Sequence, residues 1–303
     1  MNAIPFVILD VFTTERFRGN PLAVILDGRD ISSDHMQAIA AEFGYSETSF
    51  VLPAQNPANT AEVRIFTPVA EVPFAGHPNV GTAIALAEQG VLFGKTLSDE
   101  MRFEEKAGLV TVRLERKGDQ PLRATIRAPQ ALTLGAEVAV SSLARAMTLA
   151  ESDIVTTCHM PAFVSVGLKF IVAELVDLAA LGRAKPDLSA LGDLVKDYAD
   201  QQTDGSTFLY CRVAEGHIRA RMFAPFDNVP EDPATGSASA ALVAYLTQLR
   251  PEADFSQTML VEQGVEMGRR SLVTIHAQKR GGLVETVDIS GEAVCVMKGQ
   301  ILR

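Results

Sequence analysis

One segment of the chain is written twice. Residues 64–73 read RIFTPVAEVP and residues 221–230 read RMFAPFDNVP. Identical residues stand at Arg64/Arg221, Phe66/Phe223, Pro68/Pro225, Val72/Val229 and Pro73/Pro230. After a two-residue shift, HPNVGTA (77–83) answers to DPATGSA (232–238). A run of small and apolar residues at helical spacing follows each copy, NVGTAIALAEQGVL (79–92) and GSASAALVAYLTQL (236–249). Such a repeat requires each copy to build the same strand, turn and helix, so it predicts two related lobes. In this alignment Pro78 and Pro233 fall in a first helical turn, where a missing N–H costs nothing. Gly81 and Gly236 allow close approach of backbone. A helix N-terminus offers unpaired N–H groups and a positive dipole end, so two of them on one cleft would favour a small carboxylate.

The rest of the chain alternates between strand and helix patterns. Residues 5–12, 20–26, 61–68, 101–118 and 123–129 read as strands, and so does the segment ETSFVLP (47–53). Residues 33–44 read as a helix with Ser33 as N-cap and Gly44 as stop. The sheet pattern breaks around 128–135, which places a boundary between a lobe 1–128 and a lobe 129–289. Helices follow at 141–152 and 188–201, strands at 162–175, a hairpin at 206–225 and closing strands at 271–278 and 285–302. The segment 290–303 is read as sheet closure that returns to the first lobe.

The formal net charge is −10 and Lys and Arg form no run, which excludes nucleic acid and anionic membrane as partners. No segment is apolar for the roughly 18 residues of a membrane span. Cys158, Cys211 and Cys295 lie far apart and form no CxxC pair, so free thiols in the cytoplasm are expected. ATGSASA lacks the G-x-S-x-G elbow of a serine hydrolase.

Four stretches together are more specific. DVFTTERFRGNPLAVI (10–25), YSETSFV (45–51), FTPVAEVPFAGHPNVGTA (66–83) and FAPFDNVPEDPATGSASAAL (223–242) resemble the phenazine-biosynthesis PhzF-like family. The resemblance implies a diaminopimelate epimerase-like fold of the α/β (α+β) class: two pseudo-symmetric lobes, each a curled, mostly antiparallel sheet around a central helix. It implies a homodimer, an active site between the lobes and catalysis without metal or organic cofactor. The family's best-known activity isomerises trans-2,3-dihydro-3-hydroxyanthranilate. By the same resemblance Glu47 of S-E-T carries the proton, and His77 of A-G-H-P and Asp232 of E-D-P line the substrate site. Gly76, Gly236 and Ser237 supply backbone and hydroxyl contacts. The racemases of this fold place a cysteine in each half of the site; here the corresponding loops are read as carrying His77 and Asp232.

Proton migration between carbons needs a group that accepts at one carbon and donates at another, and one carboxyl suffices. Two alternatives stand beside this isomerase reading. One is an amino-acid racemase or epimerase with non-cysteine bases, Glu47 and Asp232. The other is a non-catalytic binder of an anionic metabolite. Arg64 and Arg221 are expected to hold the repeated loops in place.

Overall fold

The computed structural model describes residues 3–118 and 120–302. The chain divides into two compact units, Met1–Pro129 with Ile289–Arg303, and Gln130–Asp288. The first unit begins with β1 (Ile4–Val11), β2 (Asn20–Ile25), α1 (Ser33–Phe43), β3 (Thr48–Leu52), β4 (Ala61–Phe66), β5 (Glu71–Val72) and α2 (Gly76–Gln89). It continues with β6 (Val91–Leu92), β7 (Lys95–Thr96), β8 (Glu100–Glu105), β9 (Gly108–Lys117) and β10 (Gln120–Arg127). The second unit contains β11 (Thr133–Glu137), α3 (Val140–Ala146), β12 (Ile154–Val155), β13 (Ala162–Ser165), β14 (Lys169–Leu175), α4 (Leu178–Arg183) and α5 (Leu188–Asp197). Then come β15 (Thr207–Ala214), β16 (His217–Ala224), β17 (Val229–Asp232), α6 (Gly236–Gln248), β18 (Phe255–Gln263), β19 (Ser271–Arg280) and β20 (Leu283–Gly291), whose residues from Ile289 onward belong to the first unit. The last strand, β21 (Ala293–Ile301), pairs antiparallel with β1 in the first unit.

Most pairings are antiparallel; β2–β3 and β4–β8 in the first unit, and β14–β15 and β16–β18 in the second, are parallel. Helix α2 is the centre of the first unit. Every residue from Gly76 to Ala87 is buried, with β1, β2, β3, β9 and β10 packed against it. Its small residues make this possible: a Cβ on Gly81 would lie 2.5 Å from Leu22 Cδ2 and 2.7 Å from Val11 Cγ2, both in the core. Helix α6 is central to the second unit in the same way, against β13, β14, β18 and β19. Each unit is thus a mixed, mostly antiparallel sheet around a buried helix, the architecture the sequence predicts. No helix among the described residues is long and apolar enough to cross a membrane.

Several boundaries differ from the sequence reading. Ser32, not Ser33, caps α1 by accepting from His35 N, and Gly44 ends it with φ 64°. Helix α3 stops at Ala146, and β18 was not anticipated.

The register of the repeat also differs. Ile65 pairs with Val72 across β4–β5, and Met222 pairs with Asp232 across β16–β17. Val72 therefore corresponds to Asp232, Pro73 to Pro233, and Gly76-His77 to Gly236-Ser237; the repeated motif is E-x-P-x-x-G. Side chains confirm it. Arg64 binds Glu71 through two 2.8 Å bonds, and Arg221 binds Glu231 through two 2.8 Å bonds. Each guanidinium also lies over a ring, Phe66 at 5.2 Å and Phe223 at 4.7 Å. The Arg–Glu spacing is 7 residues in the first copy and 10 in the second. The extra length is taken up by a 3₁₀ turn, Pro225–Asp227, and by Asn228 at φ 60°. Pro78 lies in the first turn of α2, but Pro233 lies ahead of α6, whose N-cap is Thr235.

Candidate active site

Glu47 immediately precedes β3, and His77 is the second residue of α2. This brings Glu47 Oε2 to 3.5 Å from His77 Nδ1. The Glu47 side chain is 20% exposed and the His77 side chain 5%. Burial pushes the imidazole pKa down to about 3, because the charged form loses its hydration. The positive end of α2 opposes an imidazolium in the same direction. His77 is therefore neutral at physiological pH, and its contact with Glu47 is not an ion pair.

The consequence for stability has a definite sign. An unfolded histidine takes up a proton below about 6.5, whereas folded His77 stays neutral to about 3. Acid thus favours the unfolded chain, by about 2 kcal/mol from this residue at pH 5. The His77 ring should show no titration in NMR between pH 5 and 7, and His77→Gln should flatten the fall of stability across that range.

The same unit concentrates buried polar atoms with no hydrogen-bond partner among the described residues. They are Thr48 Oγ1 and Ser49 Oγ on β3, His77 Nε2, Asn79 Oδ1 and Thr82 Oγ1 on α2, and both carboxyl oxygens of Glu105 at the end of β8. Each such atom costs about 1–3 kcal/mol. A concentration of them on the strand and helix that carry Glu47 and His77 suits a place shaped for polar chemistry better than one shaped for stability.

In the second unit Asp232 ends β17 and is buried, with Oδ2 accepting from the Thr235 hydroxyl at 2.5 Å. The side chain of Gln263 holds this loop: Nε2 donates to Asp232 O at 2.7 Å and to Thr235 Oγ1 at 3.0 Å, and Oε1 accepts from Thr235 N at 3.0 Å. Gly236 and Ser237 open α6, as Gly76 and His77 open α2. Asp232 and His77 thus occupy different positions of the repeat, and the reading of them as counterparts is corrected. Asp232 also does not cap α6, since it lies three residues before the N-cap.

Sequence reasoning did not single out Thr235, Gln263, Asn79 or Glu105. Gln263 belongs to the unanticipated strand β18. Glu71 and Glu231 were signalled by the E-x-P motif once the repeat is set in its structural register. Among the described residues no three His, Cys, Asp or Glu side chains gather to hold a metal ion.

A family profile described as phenazine biosynthesis-like protein matches residues 9–299. The chain is 38% identical over 301 residues to an uncharacterized isomerase of Mesorhizobium japonicum, covering 98% of each chain. It is 35% identical over 300 residues to the trans-2,3-dihydro-3-hydroxyanthranilate isomerase of Pseudomonas chlororaphis, covering 98% of this chain and 99% of that one. The crystal structure of a Bacillus anthracis phenazine biosynthesis protein of the PhzF family superposes with a TM-score of 0.88, 27% identity and full coverage of both chains. The chain belongs to the phenazine biosynthesis-like (PhzF) family and is an isomerase.

Proposed function

We propose that the protein moves one proton between carbons of a small cyclic carboxylate, of the trans-2,3-dihydro-3-hydroxyanthranilate type, without a cofactor. Glu47 is the acid–base. The observation that supports this most is the Glu47 carboxyl set 3.5 Å from a buried, neutral imidazole. A neutral His77 supplies no full positive charge beside Glu47, so it does not hold the carboxyl in its ionised form as an imidazolium would.

In this reading the Glu47 carboxylate takes a proton from one substrate carbon, and the C–H electron pair passes into the substrate's conjugated system. The protonated carboxyl then gives the proton to a second carbon, where the pair forms the new C–H bond. General acid–base transfer contributes about 10²–10⁴-fold. Orientation and charge stabilisation supply the rest. His77 orients Glu47. Asp232 accepts from donor groups of the substrate, and Gly76, Gly236 and Ser237 offer backbone and hydroxyl contacts to its carboxylate. A cytoplasmic homodimer belongs to the same reading.

Turnover of the dihydro-hydroxyanthranilate in D₂O, followed by NMR, tests it. The expected product carries deuterium at the receiving carbon, at less than full occupancy because Glu47 returns part of the proton it took. Label at an inverted stereocentre would establish the racemase alternative instead. Unchanged, unlabelled substrate would overturn the catalytic reading.

A further inference from the structure

Three buried side chains of the second unit, away from the residues discussed so far, make more contacts than their hydrogens can serve. His159 lies in the segment 158–161 that leads into β13, Glu174 on β14 and Tyr210 on β15. His159 and Glu174 are buried, and Tyr210 is fully so. His159 Nδ1 lies 2.8 Å from Met160 O. A carbonyl only accepts, so Nδ1 carries a hydrogen. His159 Nε2 lies 2.9 Å from the Tyr210 hydroxyl, and that hydroxyl donates to Glu174 Oε2 at 2.8 Å. Arg212 grips the same acid, Nε to Oε1 at 2.9 Å and Nη2 to Oε2 at 3.3 Å. Glu174 therefore enters the chain as a carboxylate, which only accepts.

A neutral imidazole with its hydrogen on Nδ1 offers only a lone pair at Nε2. Nε2 and Glu174 Oε2 then compete for the one hydrogen of Tyr210. The carboxylate takes it, because a bond to a charged acceptor is about twice as strong as one to a neutral acceptor. Lone pairs of Nε2 and of the Tyr210 oxygen are left facing each other. A second hydrogen, on Nε2, ends the conflict: the imidazolium gives to Tyr210, Tyr210 gives to Glu174, and each donor has one acceptor. The other groups around the ring do not supply that hydrogen. Tyr245 of α6 lies against His159 with 5.0 Å between ring centroids, and burial pushes the pKa of both tyrosines up, so both stay uncharged. Arg212 Nη2 also reaches Cys158 Sγ at 3.9 Å, and the charge of Glu137, at the end of β11, acts on Tyr245.

We infer that His159, Tyr210 and Glu174 form a proton-operated latch: a proton on Nε2 ties the segment 158–161 to β15, and its loss makes the ring back away from Tyr210 and loosens the segment. The proton comes from solvent and returns to it. Burial holds the His159 pKa below its ordinary value, although the bond to Met160 and the charge of Glu174 raise it; Arg212 lowers it further. Uptake therefore falls in acid, below about 6.5. An unfolded histidine takes up the same proton more readily, so acid does not strengthen the whole fold through this residue. It selects between two folded arrangements, both with the ring buried beside Tyr245. Pro161 O accepts from Val138 N at 2.6 Å, so that amide reports how firmly the segment is held.

Two NMR measurements on the whole protein test this. The ring nitrogens of His159, assigned by their loss in His159→Gln, are followed from pH 8 to 4.5. At pH 8 the hydrogen should sit on Nδ1 and Nε2 should be bare; in acid Nε2 should gain a hydrogen. In Tyr210→Phe, which keeps the ring and loses the hydroxyl, the midpoint should fall by about one pH unit, because the imidazolium has lost its acceptor. Hydrogen exchange at Val138, corrected for the intrinsic effect of pH, should slow about tenfold between pH 7 and 5 in the wild type, the worth of one hydrogen bond, and should show no such step in Tyr210→Phe. Glu174→Gln should keep the latch shut at pH 7 as well, since an amide N–H gives to the Tyr210 oxygen and frees its hydrogen for His159. This variant keeps the inference testable if Tyr210→Phe does not fold. A neutral His159 with its hydrogen on Nε2, no uptake above pH 4.5, or a Val138 amide that exchanges alike at both pH values in the wild type would overturn the inference.

Discussion

Glu47→Gln is expected to reduce turnover by about 10²–10⁴-fold. Glutamine keeps the volume and the strand entry of Glu47, so β3 should form as before, but an amide neither takes nor returns the proton. His77, at 3.5 Å, is a poor replacement, because burial holds its pKa down to about 3. It would have to be protonated in one half of the cycle, and at neutral pH that costs about 1.4 kcal/mol for each pH unit above its pKa. Glu47→Asp keeps the chemistry but withdraws the carboxyl by one methylene, so an intermediate loss is expected. Rates of Glu47→Gln within threefold of wild type, by chromatography of the product, would remove Glu47 from the reaction.

Arg221→Met is expected to destabilise the protein by about 3–5 kcal/mol. The Arg221 side chain is 10% exposed and satisfies Glu231 together with three backbone carbonyls, Leu181 O at 3.0 Å, Gly182 O at 3.3 Å and Ala184 O at 2.8 Å. Methionine fills the space over Phe223 but leaves a half-buried carboxylate and the C-terminal end of α4 without their donor. Arg64→Met should cost less, about 1–2 kcal/mol, because Lys106 still neutralises Glu71. Urea denaturation of both variants measures the difference. The double variant Arg221→Met, Glu231→Gln should recover part of the loss, since it removes the stranded charge. Equal effects at the two positions would contradict this account.

The sequence shows which residues repeat but not how they align. Pro73 and Pro230 share a letter and a preceding valine, and that coincidence set the wrong register. Three extra residues in the second copy are absorbed by a 3₁₀ turn and a left-handed Asn228, and no periodicity signals such a turn. Helix α2 was legible because a helix buried on all sides must be small and apolar throughout. Strand β18 was not, because Ser256, Gln257, Thr258, Glu262 and Gln263 break its apolar pattern. Those same polar residues are there for a reason: Gln263 serves the Asp232 loop. Glu47 and His77 were legible through motif resemblance, whereas Glu105, whose carboxyl oxygens are buried, looks in the sequence like one more charge in the run EEK.

With no room for a Cβ at Gly81, the backbone of α2 lies directly against Leu22 and Val11, and packing this close resists sliding of the helix that carries the His77 imidazole. In the proposed reaction, the swing from one atom of the guest to another would fall to the Glu47 side chain, which stands ahead of its strand with a fifth of its surface in solvent.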